Sequence, residues 1–291
     1  MTLINDAAAV YLGSTAVERA YLGAQLVWPA IIDPAASGGI ETVIEQGGRF
    51  WRVHTFLGDG VLNVSRDIAH AEYLIAGGGG AGGYAAYDVS GGGGAGQYLD
   101  GGIAVSIAEY PITVGSGGTS STDAGSTTAL GLTAHGGGNG NVLTPALGSG
   151  GGQKSRSGDD GGAPASNPGT NSGGAGYSPN RRGGGGGGAG GAGGDAATGV
   201  EHIGGSSGVG VVSEINGQSL EYCSGGSGAF DGPVSGRAGR GGSDFSVDNA
   251  TSAQPNSGSG GGGGSYGNYG GNGGSGIVIV RYEITEAEYR A

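Results

Sequence analysis

Cysteine, methionine and tryptophan almost vanish from this sequence, with one, one and two copies in 291 residues. Because Cys223 stands alone, no intrachain disulfide can form and no zinc cluster can be built from cysteines. The histidines His54, His70, His135 and His202 are scattered without metal-ligand spacing, so neither a metal nor another cofactor is expected. Charge is scarce too, at 12% of residues, and 12 basic against 24 acidic side chains leave a formal net charge of −12. Nucleic acid and anionic lipid reward positive surface, so neither is an expected partner. No apolar run approaches the ~18 residues of a membrane helix, and no membrane insertion is expected. The opening "MTLINDAAAVYLG" has no basic segment followed by an apolar one, so a standard secretory signal is not expected.

What fills the chain is glycine. Its 77 glycines are about a quarter of all residues, several times the ~7% of ordinary globular proteins. Disordered chains usually combine low hydrophobicity with high charge. Here hydrophobic residues reach only 35%, yet the charge is missing.

The distribution of the glycines divides the chain. Over residues 1–32, "VYLGSTAV" at 10–17 is echoed by "AYLGAQLV" at 20–27, each alternating about a glycine turn as small antiparallel strands do. Trp28 and Pro29 close this unit, which is too short to bury a core alone and is expected to pack on another chain or another copy. "DPAASGG" reads as a linker over 33–39. Residues 40–76 form an expected β base, with alternation on either side of Gly47-Gly48 and a hairpin turn expected at Asp59-Gly60. Residues 77–276 hold glycine runs at 77–83, 91–96, 136–140, 148–152, 183–194, 204–205, 225–228 and 258–276, interleaved with strand-like pieces such as Ile112-Thr113-Val114 and Leu130-Gly131-Leu132-Thr133. Residues 277–291 begin with the uninterrupted apolar stretch Ile277-Val278-Ile279-Val280, the mark of a buried strand. "AEYLIAGGGG" at 71–80 runs from strand into glycines and "GGSGIVIVRYEI" at 273–284 reverses that order, so these two strands are expected to pair.

Four physical readings of the runs compete. A flexible linker is normally one stretch, not eight runs between strands. Collagen requires glycine at every third position, which "GGGGAGGYAAYDVSGGGG" breaks. A dinucleotide cradle needs a strand, a helix and a downstream acid, and no helix-length periodicity follows any run. The Walker pattern fails because Gln153, not glycine, precedes Lys154. The fourth reading is a bundle of glycine helices of the polyproline-II type, three residues per turn with no internal hydrogen bonds. Every N–H and C=O then points outward to a neighbouring helix, and a Cβ would hold the backbones apart. Ordering a residue costs about 1–2 kcal/mol and a hydrogen bond returns roughly 1 kcal/mol net, so one such helix cannot stand alone. Many of them, pinned by a hydrophobic base, can.

The quoted segments carry a resemblance. "YLIAGGGGAGG", "YPITVGSGG", "LTAHGGGNG" and "GGSGIVIVRYEI" resemble the glycine-rich domain of bacteriophage tail-fibre and related virion proteins, and the repeated "YLG" opening looks like a short module at the start of phage tail proteins. The run architecture is also similar to the tip adhesins of T-even-like phages, in which a sandwich of polyglycine helices carries loops that bind the host surface. Those adhesins attach to a separate fibre protein, whereas this chain brings its own β module and base. An arthropod antifreeze protein also uses glycine helices, but its strict triplet repeat and disulfides are absent here. The resemblance implies a mostly β fold: an N-terminal hairpin module, a β base, and a polyglycine-II bundle with projecting loops. It implies a virion protein that recognises a bacterial surface receptor, either a glycan or an outer-membrane protein. The N-terminal module would mount it on other virion proteins, with a homotrimer as one form. A capsid decoration or head-fibre protein and a flexible glycine-rich protein are the alternatives.

On this reading function lies in the loops between runs. Tyr84 and Tyr87 lie in "GGYAAYDVSGG", Tyr177, Arg181 and Arg182 in "GYSPNRRGG", and Tyr266 and Tyr269 in "GGSYGNYGG". A tyrosine joins a flat apolar face to a hydroxyl and suits sugar rings and protein patches alike. These rings could equally serve as lids over the glycine helices, and Phe230 and Phe245 fit the lid role better. "RGG" at 182–184 and 240–242 is weak support for RNA binding in an acidic chain. The pattern G-x-S-x-G at Ser206 and Ser265 is expected by chance here and lacks a strand-to-helix elbow. Asp159-Asp160 reads as a solvated acidic turn. No catalytic constellation emerges, and no enzyme is expected.

Overall fold

A computed structural model describes residues 34–84, 88–120, 122–141, 147–154, 169–177, 181–198, 203–243 and 250–290, together with four short strands near the start. Those four form two hairpins: β1 (Tyr11–Leu12) with β2 (Thr15–Ala16), and β3 (Ala20–Leu22) with β4 (Gln25–Trp28). β5 (Ala36–Ser37), β6 (Ile40–Gln46), β7 (Arg49–Phe56), β8 (Gly60–Val64) and β9 (Ile68–Ala76) then follow in close succession. β10 (Tyr98–Val105) and β11 (Ala108–Ile112) come after the second glycine run. β12 (Thr127–Ala129) pairs with β13 (Leu132–Ala134), β14 (Val211–Ser213) pairs with β15 (Leu220–Tyr222), and β16 (Ile277–Ile284) precedes the short helix α1 (Glu286–Arg290). The fold is mostly β: several antiparallel sheets and one short helix.

The principal sheet has five strands in the order β10-β9-β16-β7-β6. The expected pairing of the bracketing strands is present, with Ile277 opposite Ala76 and Ile279 opposite Leu74. β16 also pairs along its far edge with β7, which places it at the centre and explains its unbroken apolar run. Its side chains alternate between two cores. Val278, Val280, Tyr282 and Ile284 join Phe56, Leu62, Ile75 and Ile112 beneath the three-stranded sheet β11-β8-β5. Ile277 and Ile279 join Trp51, Val53, Leu74, Ala95, Tyr98 and Cys223 on the opposite face, where the glycine region begins. Gly47 and Gly48, both at positive φ, make the two-residue turn between Gln46 and Arg49. Asp59-Gly60 makes no hairpin, contrary to expectation, because β7 and β8 enter different sheets. Asp59 instead accepts the Val114 N–H at 2.8 Å, so its carboxylate fastens the turn to the chain after β11. The strand-like reading of residues 130–133 also changes. Leu130 and Gly131 take positive φ and turn the β12–β13 hairpin, leaving only Leu132 and Thr133 in a strand.

Beyond the sheet the runs are neither helix nor strand, and their backbone groups are paired with other runs. Residues 91–97 show the pattern. Gly92 and Ala95 donate to Gly184 and Gly187, Gly93 and Gly96 to Gly261 and Gly258, and Gly94 and Gln97 to Gly138 and His135. In return Gly91, Gly94 and Gln97 accept from Gly83, Gly80 and Gly77, Gly92 and Ala95 accept from Gly152 and Ser149, and Gly93 accepts from Gly226. The segment is thus enclosed by six others, and five of them are met again three residues later with the partner shifted by three. Residues 184–189 repeat this with partners 153 and 150, 194 and 191, and 226 and 223. Only glycine permits such approach. A Cβ on Gly92, Gly93 or Gly94 would lie 2.1 Å from the carbonyl oxygen of Gly226, Gly80 or Ser149 respectively. Ala95 is tolerated because its methyl group enters the core with Leu74, Tyr98 and Cys223.

Candidate functional site

The runs have two ends. At one, Gly77, Gly258 and Gly276 lie against Ala76 of β9, and Cys223 and Gln97 sit beside them. At the other, six residues along, Gly83 bonds Gly91, Gly264 bonds Gly83 and Ser90 bonds Gly264. There Val89, Ala229, Phe230 and Tyr266 form a small third core, and a bridge joins Val89 to Ser265. Water is therefore excluded from the glycine backbones at both ends, by the sheet at one and by this cap at the other.

Four of the seven sequence-predicted residues meet at the capped end. Tyr84 and Tyr269 stack at 4.6 Å between ring centroids, and both are exposed, at 45% and 62%. Tyr266, half-buried, packs edge-on against Phe230 at 6.1 Å, with the Arg181 guanidinium 6.0 Å above its ring. Phe230 is buried in the third core with Val89 and Ala229. Tyr177 and Arg182 are bridged through their backbones, which closes the 177–182 loop. Arg182 is fully buried, at 0% exposure, and its guanidinium bonds the Ala197 carbonyl. It therefore presents no surface to a partner. Tyr87, Phe245, His202, Asp159 and Asp160 lie outside the described residues.

The asparagines carry a role that the sequence reading missed. Asn141, at positive φ, accepts the Gly91 N–H through Oδ1 and donates Nδ2 to the Tyr84 carbonyl, both at 3.0 Å. Asn139 Oδ1 accepts the Ala81 N–H at 2.8 Å. The signal was the alternation "GNGN" at 138–141. An asparagine inside a glycine run tolerates the left-handed region and supplies side-chain bonds where a neighbouring run has ended.

Several other titratable groups are buried. The Cys223 thiol is fully buried, which pushes its pKa up and keeps it protonated. Burial likewise raises Tyr98, Tyr222 and Tyr282. His54 is held below its usual range, chiefly by burial. Ser265 donates its hydroxyl to the Ser243 carbonyl at 3.2 Å and is buried. Among the described residues no three His, Cys, Asp or Glu side chains converge as metal ligands, and no helix is long and apolar enough to cross a membrane.

A family model described as a glycine-rich domain matches residues 55–283. The chain belongs to this glycine-rich domain family. The match opens in β7 and closes in β16, two strands paired side by side, so the glycine-rich domain contains its own strand base. The chain has no match among curated proteins.

Proposed function

We propose that this glycine-rich domain protein is a bacteriophage virion component, a receptor-binding adhesin of the tail or fibre that recognises the bacterial surface, and that its runs form a polyglycine-II bundle. The observation that carries this reading is the three-residue hydrogen-bond register with six surrounding segments. A helix with three residues per turn sends successive N–H groups to three directions 120° apart, and six neighbours are what close packing of such helices supplies. At ~3.1 Å per residue, the seven residues 77–83 carry the chain about 20 Å from the sheet to the cap. The bundle then acts as a rigid spacer, mounted on the strand base at one end and displaying aromatic loops at the other. The sequence resemblance to tail-fibre proteins points the same way. On this reading the N-terminal hairpins attach the protein to the particle, as a trimer in the simplest case, and a monomeric mass in solution would remove the trimer.

Gold-labelled antibody microscopy on intact particles tests the assignment. Label at the tail tip supports the adhesin. Label spread over the capsid would make the protein a decoration protein with the same scaffold. Slow amide exchange over 91–97 and 184–189 supports the bundle, and exchange at random-coil rates there would overturn it.

A further inference from the structure

We propose that the stacked Tyr84–Tyr269 pair is a carbohydrate-binding platform, so that the receptor is a surface glycan rather than a protein. The inference rests on the receptor-binding reading above and specifies its ligand.

Both residues are anchored through their backbones. Tyr84 follows Gly83, whose N–H bonds Gly91, and its own carbonyl is held by Asn141. Tyr269 precedes Gly270, which lies so close to Gly82 that a Cβ there would fall 2.3 Å from the Gly82 carbonyl carbon. The two tyrosines therefore spring from adjacent backbones that touch. The loop between Tyr266 and Tyr269 is tightened by the Asn268 N–H to Ser265 carbonyl bond at 3.0 Å, and Tyr266 is tied to Asp88 at 2.8 Å. The backbones that present the two rings are thus held before a ligand arrives, which lowers the cost of ordering them on binding.

Tyr84 and Tyr269 stack on each other, and both side chains remain exposed. The bonds that hold the two backbones come from Gly91, Asn141, Ser265 and Asp88, all through backbone or amide groups. A protein partner needs a contiguous apolar core ringed by polar groups. A pyranose needs only a flat face about the size of one ring, for its C–H groups, and hydrogen-bonding groups at the edge for its hydroxyls. The tyrosine rings supply the first, and their phenol hydroxyls supply the second.

The test uses the labelled full chain on a panel of intact bacterial cells, untreated, oxidised with periodate, or stripped with protease. The expected result is binding that periodate abolishes and protease leaves intact. Tyr84→Ala and Tyr269→Ala should each weaken it at least about tenfold, as loss of a central aromatic contact does, while Tyr84→Phe and Tyr269→Phe keep it within about threefold. Protease-sensitive, periodate-resistant binding would overturn the glycan inference and leave the receptor reading standing. Binding unmoved by either alanine would overturn the platform. Binding to no cell would overturn both.

Discussion

Replacing Gly93 by alanine is the sharpest probe of the glycine region. Gly93 donates to Gly261 at 2.8 Å and accepts from Gly226 at 2.8 Å, while its neighbour Gly94 accepts from Gly80 at 2.8 Å. The new methyl carbon would sit 2.1 Å from the Gly80 oxygen and 2.7 Å from the Ala81 oxygen. A carbon–oxygen contact is comfortable only from about 3.3 Å, so the two segments must part by roughly an ångström. That separation removes the Gly80–Gly94 bond and strains at least one of the other two. Each buried backbone group left unpaired costs about 1–3 kcal/mol, and overpacking adds about 1–3 kcal/mol. With the Gly80 N–H and the Gly94 carbonyl both unpaired, the sum is roughly 3–9 kcal/mol, a large share of the ~5–15 kcal/mol that holds a domain together. The control is Gly58→Ala, where a Cβ meets nothing within 4 Å and φ is not positive; its expected effect is within about 0.5 kcal/mol. Thermal denaturation of both variants decides the matter. At ~2–4 °C per kcal/mol, Gly93→Ala should lower the Tm by about 6 °C or more. Equal Tm values for the two variants would refute close backbone packing in the glycine region.

Three other outcomes are expected. Because burial depresses the His54 pKa, the unfolded chain takes up the proton first; stability is fully present above the unfolded value near 6.5 and falls as pH drops below it. Thermal melts between pH 8 and pH 5 should show that decline, and a His54→Asn variant should flatten it. The Cys223 thiol, buried and held protonated, should resist a thiol reagent at neutral pH until the chain is unfolded, which a colorimetric assay with and without denaturant will read. Arg281 bonds Glu72 at 2.6 Å and Gln46 at 2.6 Å and covers Trp51 at 4.3 Å, so Arg281→Ala should destabilise the sheet by about 2–4 kcal/mol in urea titration, whereas an exposed Arg49→Ala should cost under about 1 kcal/mol.

The strands that bracket the glycines were legible because their side chains declare themselves. Ile277 to Val280 read as a doubly buried strand, and the apolar run into Gly77 marked its partner. The Asp59-Gly60 turn misled, since a turn dipeptide fixes a local bend and says nothing about which sheet receives the next strand; Val61 to Val64 found β11 and β5 instead of β7. The candidate site divided along the same line. Tyr84, Tyr266 and Tyr269 were visible as aromatics set among glycines, but the difference between Arg181 and Arg182 was not. Adjacent residues in one loop point to opposite sides of it, and only the backbone bridge from Tyr177 to Arg182 decides which is buried.

Glycine itself conceals register, because identical residues leave no pattern from which to read neighbours. What fixes the register here is the rare residue that interrupts a run. Ala95 has a methyl group that only the sheet-side core accepts, Asn139 and Asn141 have amides that replace backbone donors or acceptors where a neighbour ends, and Ser90 bonds the Gly83 carbonyl at 2.6 Å. Shifting any run by one residue would bury an amide against apolar carbon or drive a methyl group into a carbonyl. The scattered alanines, serines and asparagines therefore do for this scaffold what the alternating hydrophobic pattern does for the sheet beneath it, and they hold the tyrosine loops in place at its far end.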